Sequence, residues 1–237
     1  MCICESRDSK IELLQMNVLS ASQIKKSYRV GADTLDVITG IDFELSKGES
    51  VAIMGPSGSG KTTLLQVLGV MLKPDFGRLS ILDLDVVNLS DRELSQIRRR
   101  QLGFVFQRFN LLGAMSAVDN ISWPLVLDGR DRKGTRERAL ELLDRVGLKD
   151  RASHFPHQLS GGEQQRVAIA RALVAKPCIV FADEPTGALD SKTGIKILEL
   201  LKESVHAEGG SLVMVTHDQT AATYCDRLVL LKDGKQC

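Results

Sequence analysis

Residues 50–63, "SVAIMGPSGSGKTT", constrain the fold more than any other stretch of the chain. An apolar run predicts a buried strand, and a glycine-rich loop then leads into a helical pattern. This is the context in which the G-x-x-x-x-G-K-[ST] spacing binds phosphate. A flexible Gly-Ser turn would account for the glycines, but it gives no reason for Lys61 and Thr62 at the helix start. The stretch therefore predicts a nucleotide-binding loop at the end of a strand.

Each part of this phosphate loop has a chemical role in that prediction. Backbone N–H groups can surround a triphosphate only where side chains are absent, which Gly58 and Gly60 provide. Lys61 is expected to bind the β and γ phosphates, Thr62 to coordinate Mg²⁺, and Thr63 to contact a nearer phosphate. The predicted nucleotide contacts in the loop are Gly55, Pro56, Ser57, Gly58, Ser59, Gly60, Lys61, Thr62 and Thr63.

Strand and helix patterns alternate along the chain, which predicts an α/β fold with a mixed, mostly parallel sheet and a P-loop NTPase core. Residues 17–49 alternate apolar side chains between turns and predict an N-terminal antiparallel β-subdomain. A helix is expected over 61–72 and a strand over 77–89. From about 108 to 160 the apolar residues recur at helical spacing, which predicts an inserted helical subdomain.

Length and composition fit one large domain over residues 16–237. The chain has 237 residues, of which 43% are hydrophobic, enough to fill a core. The first 15 residues are expected to be a disordered extension, and Met16 is an alternative start. The five cysteines, among them Cys2 and Cys4, show no metal-ligand spacing and favour a reducing compartment.

The charge balance argues against a nucleic-acid partner, and the hydropathy argues against a membrane-spanning helix. Lys and Arg total 31 against 30 for Asp and Glu, so no overall field attracts nucleic acid. Apolar runs such as "LLQVLGVML" are much shorter than the roughly 18 residues that a membrane-spanning helix needs. We therefore expect a soluble chain with no nucleic-acid partner, in which any membrane partner is recognised locally.

Two adjacent acids follow the apolar strand pattern "CIVFADEP" at residues 178–185. Chemistry in a parallel sheet collects at the carboxyl ends of the strands, so Asp183 is expected beside the phosphate loop as a Mg²⁺ ligand. Glu184 is then placed as the general base for a water that attacks the γ-phosphate. A solvated strand end is the alternative for the isolated pair, and the phosphate loop makes the catalytic interpretation the stronger one.

A second anion site is predicted where Ser160 and Glu163 have the capping-box spacing at the start of a helix. Gly161 and Gly162 weaken the same turn, unless another group must approach the bare backbone. Free N–H groups at a helix N-terminus bind phosphate well. Taken alone, the segment fits a capped surface helix better than an anion site, and the other motifs of the chain decide between them.

The motifs taken together resemble the ATP-binding subunit of ABC transporters, from about residue 18 onward. The signature segment is "LSGGEQQR", residues 159–166, and "GFVFQ" ends in Gln107. "ADEPTGALD" joins the two acids to Asp190, and "VMVTHD" contains His217. Their order and separations are more specific than any one motif.

The resemblance implies an ATP-dependent homodimer with Mg-ATP held between the phosphate loop of one copy and the signature segment of the other. It implies catalytic roles for Glu184, His217 and Gln107, and Mg²⁺ contacts from Thr62, Gln107 and Asp183. Tyr28 is expected to stack on adenine, although a packed strand tyrosine is the alternative. The implied nucleotide contacts outside the phosphate loop are Tyr28, Ser160, Gly161, Gly162, Glu163 and Asp190.

The resemblance also implies a separate transmembrane permease, which would hold the chain on the cytoplasmic, inner face of the membrane. Residues 109–129 are where the family docks a permease, and Leu111, Leu112, Met115 and Trp123 fit an apolar groove or a helical core equally well. The branch that it most resembles contains lipoprotein-release, macrolide-export and cell-division ATPases. Export is the first expectation, and regulation of a membrane partner without transport is the alternative. Soluble DNA-repair or translation ATPases usually have long coiled-coil inserts, and this sequence has none.

Overall fold

The computed structural model describes residues 16–31 and 33–237. The expectations for the N-terminal extension, Cys2 and Cys4 lie outside the described residues. The strands are β1 (Asn17–Val30), β2 (Asp33–Ser46), β3 (Ser50–Met54), β4 (Phe76–Ile81), β5 (Leu84–Asp85), β6 (Leu102–Phe106), β7 (Ile179–Asp183), β8 (Ser211–Val215), β9 (Arg227–Lys232) and β10 (Lys235–Gln236). The helices are α1 (Lys61–Leu68), α2 (Asp91–Gln101), α3 (Ala117–Leu127), α4 (Arg132–Arg145), α5 (Gly161–Leu173), α6 (Ser191–Ala207) and α7 (Gln219–Ala222), with 3₁₀ turns at Lys149–Arg151 and Pro156–Gln158.

Two sheets organise the chain. The first is antiparallel with the order β2-β1-β4-β5, as expected for the N-terminal segment. The second has the order β10-β9-β3-β8-β7-β6, in which all pairs are parallel except the β10–β9 hairpin. The prediction of a mixed, mostly parallel sheet is confirmed.

Apolar side chains from both sheets and α1 form one core, and the helices α3 to α6 form a second core on the β6–β8 side of the parallel sheet. Phe181 of β7 and Leu64 and Leu68 of α1 are fully buried in the first. Within the described ranges, no helix has the length and apolarity that a membrane crossing requires. The segment between β6 and α5 contains the helices α3 and α4, which agrees with a helical insert.

Two sequence-based element boundaries were wrong. The helix expected over 61–72 ends at Leu68, because Gly69 caps it and Val70 takes a left-handed φ of 50°. A side chain at Gly69 would lie 2.8 Å from the Phe104 ring, so close packing also requires glycine there. The strand expected over 77–89 divides into β4 and β5, because Leu82 and Asp83 form a left-handed turn.

An ion-pair cluster connects α4 to the end of α6. Arg138 contacts Glu208 at 2.8 Å, and the two side chains are only 13% and 7% exposed. Arg145 contacts the same carboxylate, and Glu141 pairs with the outer side of Arg138. Burial raises the pKa of Glu208, but hydrogen bonds from Arg138 and Arg145 outweigh it and lower the pKa below its ordinary value.

We expect Glu208→Gln to lower the free energy of unfolding by about 3 kcal/mol, because it removes the buried charge partner of the Arg138 guanidinium and leaves only the exposed Glu141. Urea unfolding at pH 7 measures this loss. The lowered pKa means that the carboxylate stabilises the fold above the ordinary glutamate pKa of about 4.3, and that this contribution is lost as the pH falls through the folded value. The difference between wild type and variant should therefore shrink in acid.

Glu141→Gln is the matched control, since Glu141 pairs with the same arginine but its side chain is 57% exposed. An exposed pair contributes about 1 kcal/mol or less. Equal losses of unfolding free energy in Glu208→Gln and Glu141→Gln would contradict the larger contribution of the buried pair Arg138–Glu208.

Candidate functional site

The phosphate loop connects β3 to α1 and is packed against the β-strands around it. A side chain at Gly55 would collide with the backbone of Leu231 in β9. Gly60 has a φ of 94°, and a Cβ there would lie 2.8 Å from the Val37 carbonyl oxygen. These two glycines are therefore required by backbone conformation and close approach.

Lys61 is nearly buried, with 8% of its surface exposed, and it curls back over the loop. Its Nζ donates to the carbonyl oxygens of Gly55, at 2.9 Å, and Pro56, at 2.8 Å. The ammonium is thus held at the mouth of the loop by acceptors of the kind that phosphate oxygens provide. Its role in binding the β and γ phosphates stays a prediction.

Two of the three predicted Mg²⁺ ligands lie together. The Thr62 Oγ1 of α1 donates to the Asp183 Oδ1 at the end of β7 at 3.2 Å, although β8 lies between β7 and β3, the strand that leads into the phosphate loop. Burial, with the charge of Glu184, raises the pKa of Asp183 against the opposing effects of Thr62 and Lys61. A hydroxyl and a carboxylate oxygen are hard ligands of the type that Mg²⁺ prefers, so these residues fit the cation.

Glu184 and His217 form the second pair at this edge of the sheet. The His217 Nδ1 lies 2.9 Å from the Glu184 Oε1. Glu184 has a left-handed φ of 44°, an uncommon and strained conformation for a residue with a side chain. Its N–H donates to the Val215 carbonyl at 2.9 Å, which holds the strained residue at the end of β8. The arrangement presents a carboxylate beside an imidazole, as proton transfer requires.

A cavity of about 720 Å³ and another of about 660 Å³ contain most of the predicted site residues. The smaller, the phosphate cavity, is lined by Leu35, Val37, Ser57, Gly58, Gly60, Lys61, Thr62, Thr63, Glu184 and His217. Sequence reasoning missed Leu35 and Val37, whose apolar alternation in β2 predicts only a strand. Tyr28 is outside this lining but pairs with Leu35 across β1 and β2, and its side chain is partly exposed. Ser59 is buried and outside this lining, and within the described residues its hydroxyl has no hydrogen-bond partner.

The signature segment begins α5 as predicted. The Ser160 Oγ accepts from the Glu163 N–H at 3.3 Å, and the Glu163 carboxylate accepts from the Ser160 N–H at 2.8 Å. The hydrogen bonds that the Ser160 N–H and the Ser160 hydroxyl donate to this carboxylate lower the pKa of Glu163. The two glycines also serve packing, because a Cβ at Gly162 would lie 2.7 Å from the Thr193 side chain in α6.

The signature segment lines the 720 Å³ cavity, which we call the signature cavity. Ser160, Gly161 and Gly162 share it with Asp190, which also caps α6 through the Thr193 N–H. Three cations that sequence reasoning missed also line it: Arg145, Arg166 and Lys196. The two cavities have no lining residue in common. One copy of the chain therefore presents a phosphate loop and a signature segment at different surfaces.

Gln107 follows Phe106, which pairs with Asp183 across β6 and β7, but in the described part of the chain its side chain forms no hydrogen bond with Thr62 or Asp183. A Cβ on Gly187 would lie 2.5 Å from the Gln107 Nε2, so the amide rests against that glycine. The Gly187 N–H donates to the Glu184 carbonyl at 3.0 Å, which places Gln107 against the turn that carries the candidate base.

The family model described as "ABC transporter" matches residues 38–187. The chain is 43% identical over 217 residues to the uncharacterized ABC transporter ATP-binding protein YknY of Bacillus subtilis (strain 168), covering 92% of this chain and 94% of that protein. It is 46% identical over 211 residues to the macrolide export ATP-binding/permease protein MacB of Chlorobaculum tepidum, covering 89% of this chain but 32% of that longer protein.

The fold is similar to the dimeric post-hydrolysis structure of the ATP-binding cassette MJ0796, a Methanocaldococcus jannaschii protein, bound to ADP and Pi. The TM-score is 0.85 with 43% identity, and the match covers 92% of this chain and 96% of that one. With the phosphate loop, the two acids and the signature helix in place, these matches show that the chain belongs to the ABC transporter family as an ATP-binding cassette that hydrolyses ATP with Mg²⁺.

Proposed function

We propose that two copies of this chain close around two ATP molecules and drive a separate membrane permease. The observation that carries the dimer is the separation of the phosphate cavity from the signature cavity. At each of these two surfaces, one copy provides only the phosphate loop or only the signature segment. In the dimer, the second copy supplies the missing one. The related cassette MJ0796 has been solved as a dimer.

In this proposal the phosphate loop binds the triphosphate through its backbone N–H groups and Lys61. Thr62 and Asp183 hold the cation, which when bound withdraws charge from the phosphate oxygens. Glu184 accepts the proton of the attacking water. His217, at 2.9 Å, orients that carboxylate and donates to the γ-phosphate.

The signature helix closes the site from the other copy. The N-terminus of α5 directs free N–H groups and a positive dipole end toward the γ-phosphate. ADP has no γ-phosphate for that helix to bind, so hydrolysis removes the contact that joins the copies. The difference in affinity between ATP and ADP then drives opening and closing.

For the permease we propose the apolar groove of about 340 Å³ that contains Met71, Phe104, Trp123, Pro124 and Leu127. Trp123 is 37% exposed and Leu127 54%, on the outer side of α3. Leu111 and Leu112 are both outside the lining of this groove: Leu112 is 42% exposed, and Leu111 packs against the core. The relatives named for macrolide export favour an export system over regulation without transport.

Trp123→Ala is expected to weaken binding to a permease encoded beside this chain by tenfold or more in Kd, roughly the effect of removing an interface tryptophan. Co-purification and titration with the detergent-solubilised permease measure the loss, and the ATPase rate of the isolated chain should be unchanged. Phe76→Ala is the control, because Phe76 is 63% exposed on the antiparallel sheet. Equal affinity of both variants would reject this groove as the docking surface.

A further inference from the structure

Arg171 lies near the end of the signature helix α5 and contacts the loop that follows Gln107. Its Nη2 donates to the Phe109 carbonyl at 2.8 Å, and its Nη1 donates to the Asn110 carbonyl. The guanidinium is only partly exposed, and burial lowers its pKa below the ordinary value. Among the residues that the structure describes, it forms no ion pair with a carboxylate.

A buried cation without an acidic partner is costly, and here its hydrogen-bond acceptors are backbone carbonyls. The loop that it holds has an uncommon backbone. Phe109 and Asn110 have left-handed φ values of 61° and 48°, each strained for a residue with a side chain. Such a conformation persists only where surrounding contacts enforce it, and Arg171 makes two of those contacts.

The loop of residues 107–110, the Gln107 loop, lies between two parts of the site. At one end the Gln107 amide rests against Gly187, in the turn after Glu184. At the other end the Phe109 ring approaches the start of α5, where a Cβ on Gly161 would lie 3.7 Å from it. A shift of the loop backbone therefore displaces the amide relative to the catalytic acids.

We propose that Arg171 is a positioning residue for ATP hydrolysis, which fixes the backbone of Phe109 and Asn110 so that the Gln107 amide stays in reach of the reacting γ-phosphate. This inference rests on the proposed function and on the catalytic role that the family resemblance implies for Gln107. Arg171 and Ser160 lie eleven positions apart on the same helix, about 16 Å along its axis. Movement of α5 on contact with the partner copy's nucleotide is then transmitted to the Gln107 loop of its own copy.

The experiment compares two substitutions. Arg171→Met keeps a long unbranched side chain but removes the charge and the hydrogen-bond donors, whereas Arg171→Lys can still donate to one carbonyl. Steady-state ATP hydrolysis by the full chain should show kcat lowered about tenfold by Arg171→Met, the loss typical of a removed supporting contact. KM for ATP should change less than about twofold, and Arg171→Lys should recover part of kcat. Arg92→Met is the control, because Arg92 is an exposed arginine on α2.

The second arm repeats the substitution in a Gln107→Ala background. If Arg171 acts through Gln107, the added loss in kcat should be less than about twofold. The positioning role would be overturned if the fold-loss of kcat in the double variant equalled the product of the two single losses. Wild-type kcat in Arg171→Met would overturn it as well. Wild-type kcat in Gln107→Ala alone would instead overturn the role of Gln107, and the inference with it. If Arg171→Met does not fold, as judged by thermal unfolding, Arg171→Lys is measured in both backgrounds with the same criteria.

Discussion

Glu184→Gln should lower the rate of ATP hydrolysis by about 10²–10⁴-fold, the usual contribution of a positioned general base. Glutamine has the same shape but cannot accept a proton from the attacking water. ATP should still bind with near wild-type affinity, because Lys61, Thr62 and the loop backbone are unchanged. Phosphate release measures turnover, and a fluorescent nucleotide measures binding at equilibrium.

Glu199→Gln is the control for this substitution, since Glu199 is an exposed glutamate in α6, away from the lining of both cavities. Its turnover should equal that of wild type. If Glu184→Gln also hydrolysed ATP at the wild-type rate, Glu184 would not be the base, and the contact with His217 would need another explanation.

Ser160→Arg should abolish ATP-dependent dimerisation while leaving nucleotide binding to one copy intact. The substitution puts a bulky cation at the helix N-terminus, where its size blocks the approach of the partner copy's Mg-ATP and its charge is unfavourable at the positive end of the helix dipole. Sedimentation of the Glu184→Gln chain with Mg-ATP should give a dimer, and the double variant should give a monomer.

Ser90→Arg controls for the loss of a helix cap, because Ser90 and Glu93 form the same capping box at the start of α2. Both substitutions remove a cap contribution of about 1 kcal/mol, but only position 160 lines the signature cavity. Ser90→Arg should therefore leave dimerisation intact. A Ser160→Arg chain that still dimerises with ATP would contradict closure of the site by a second copy.

Local patterns in the sequence predicted the parts of the site that are formed by residues close together in the chain. The phosphate loop and the capping box of Ser160 and Glu163 are regular spacings, and the structure contains both of them. The alternation of strands and helices was enough to predict the parallel sheet. Because parallel strands align their carboxyl ends, it was also enough to place Asp183 beside Thr62.

Contacts between distant segments could not be predicted in this way. Helix α1 ends at Leu68 where the Phe104 ring packs against Gly69. The helical spacing of apolar residues in the sequence gives no sign of that contact. The hydrogen bonds of Arg171 to Phe109 and Asn110 join residues about sixty positions apart. Leu111 is partly buried and the adjacent Leu112 is exposed, although the sequence pattern does not distinguish the two. Packing in three dimensions determines each of these, so the structure was needed to find them.

The two carbonyl contacts of Lys61 bear on how rapidly the chain can exchange its nucleotide. Because Gly55 and Pro56 already hold the ammonium, an incoming phosphate replaces one oxygen partner with another and does not have to order a flexible coil. Such preorganisation reduces the conformational entropy lost on binding. A loop that needs no ordering on binding is expected to keep the same shape through nucleotide loading and product release.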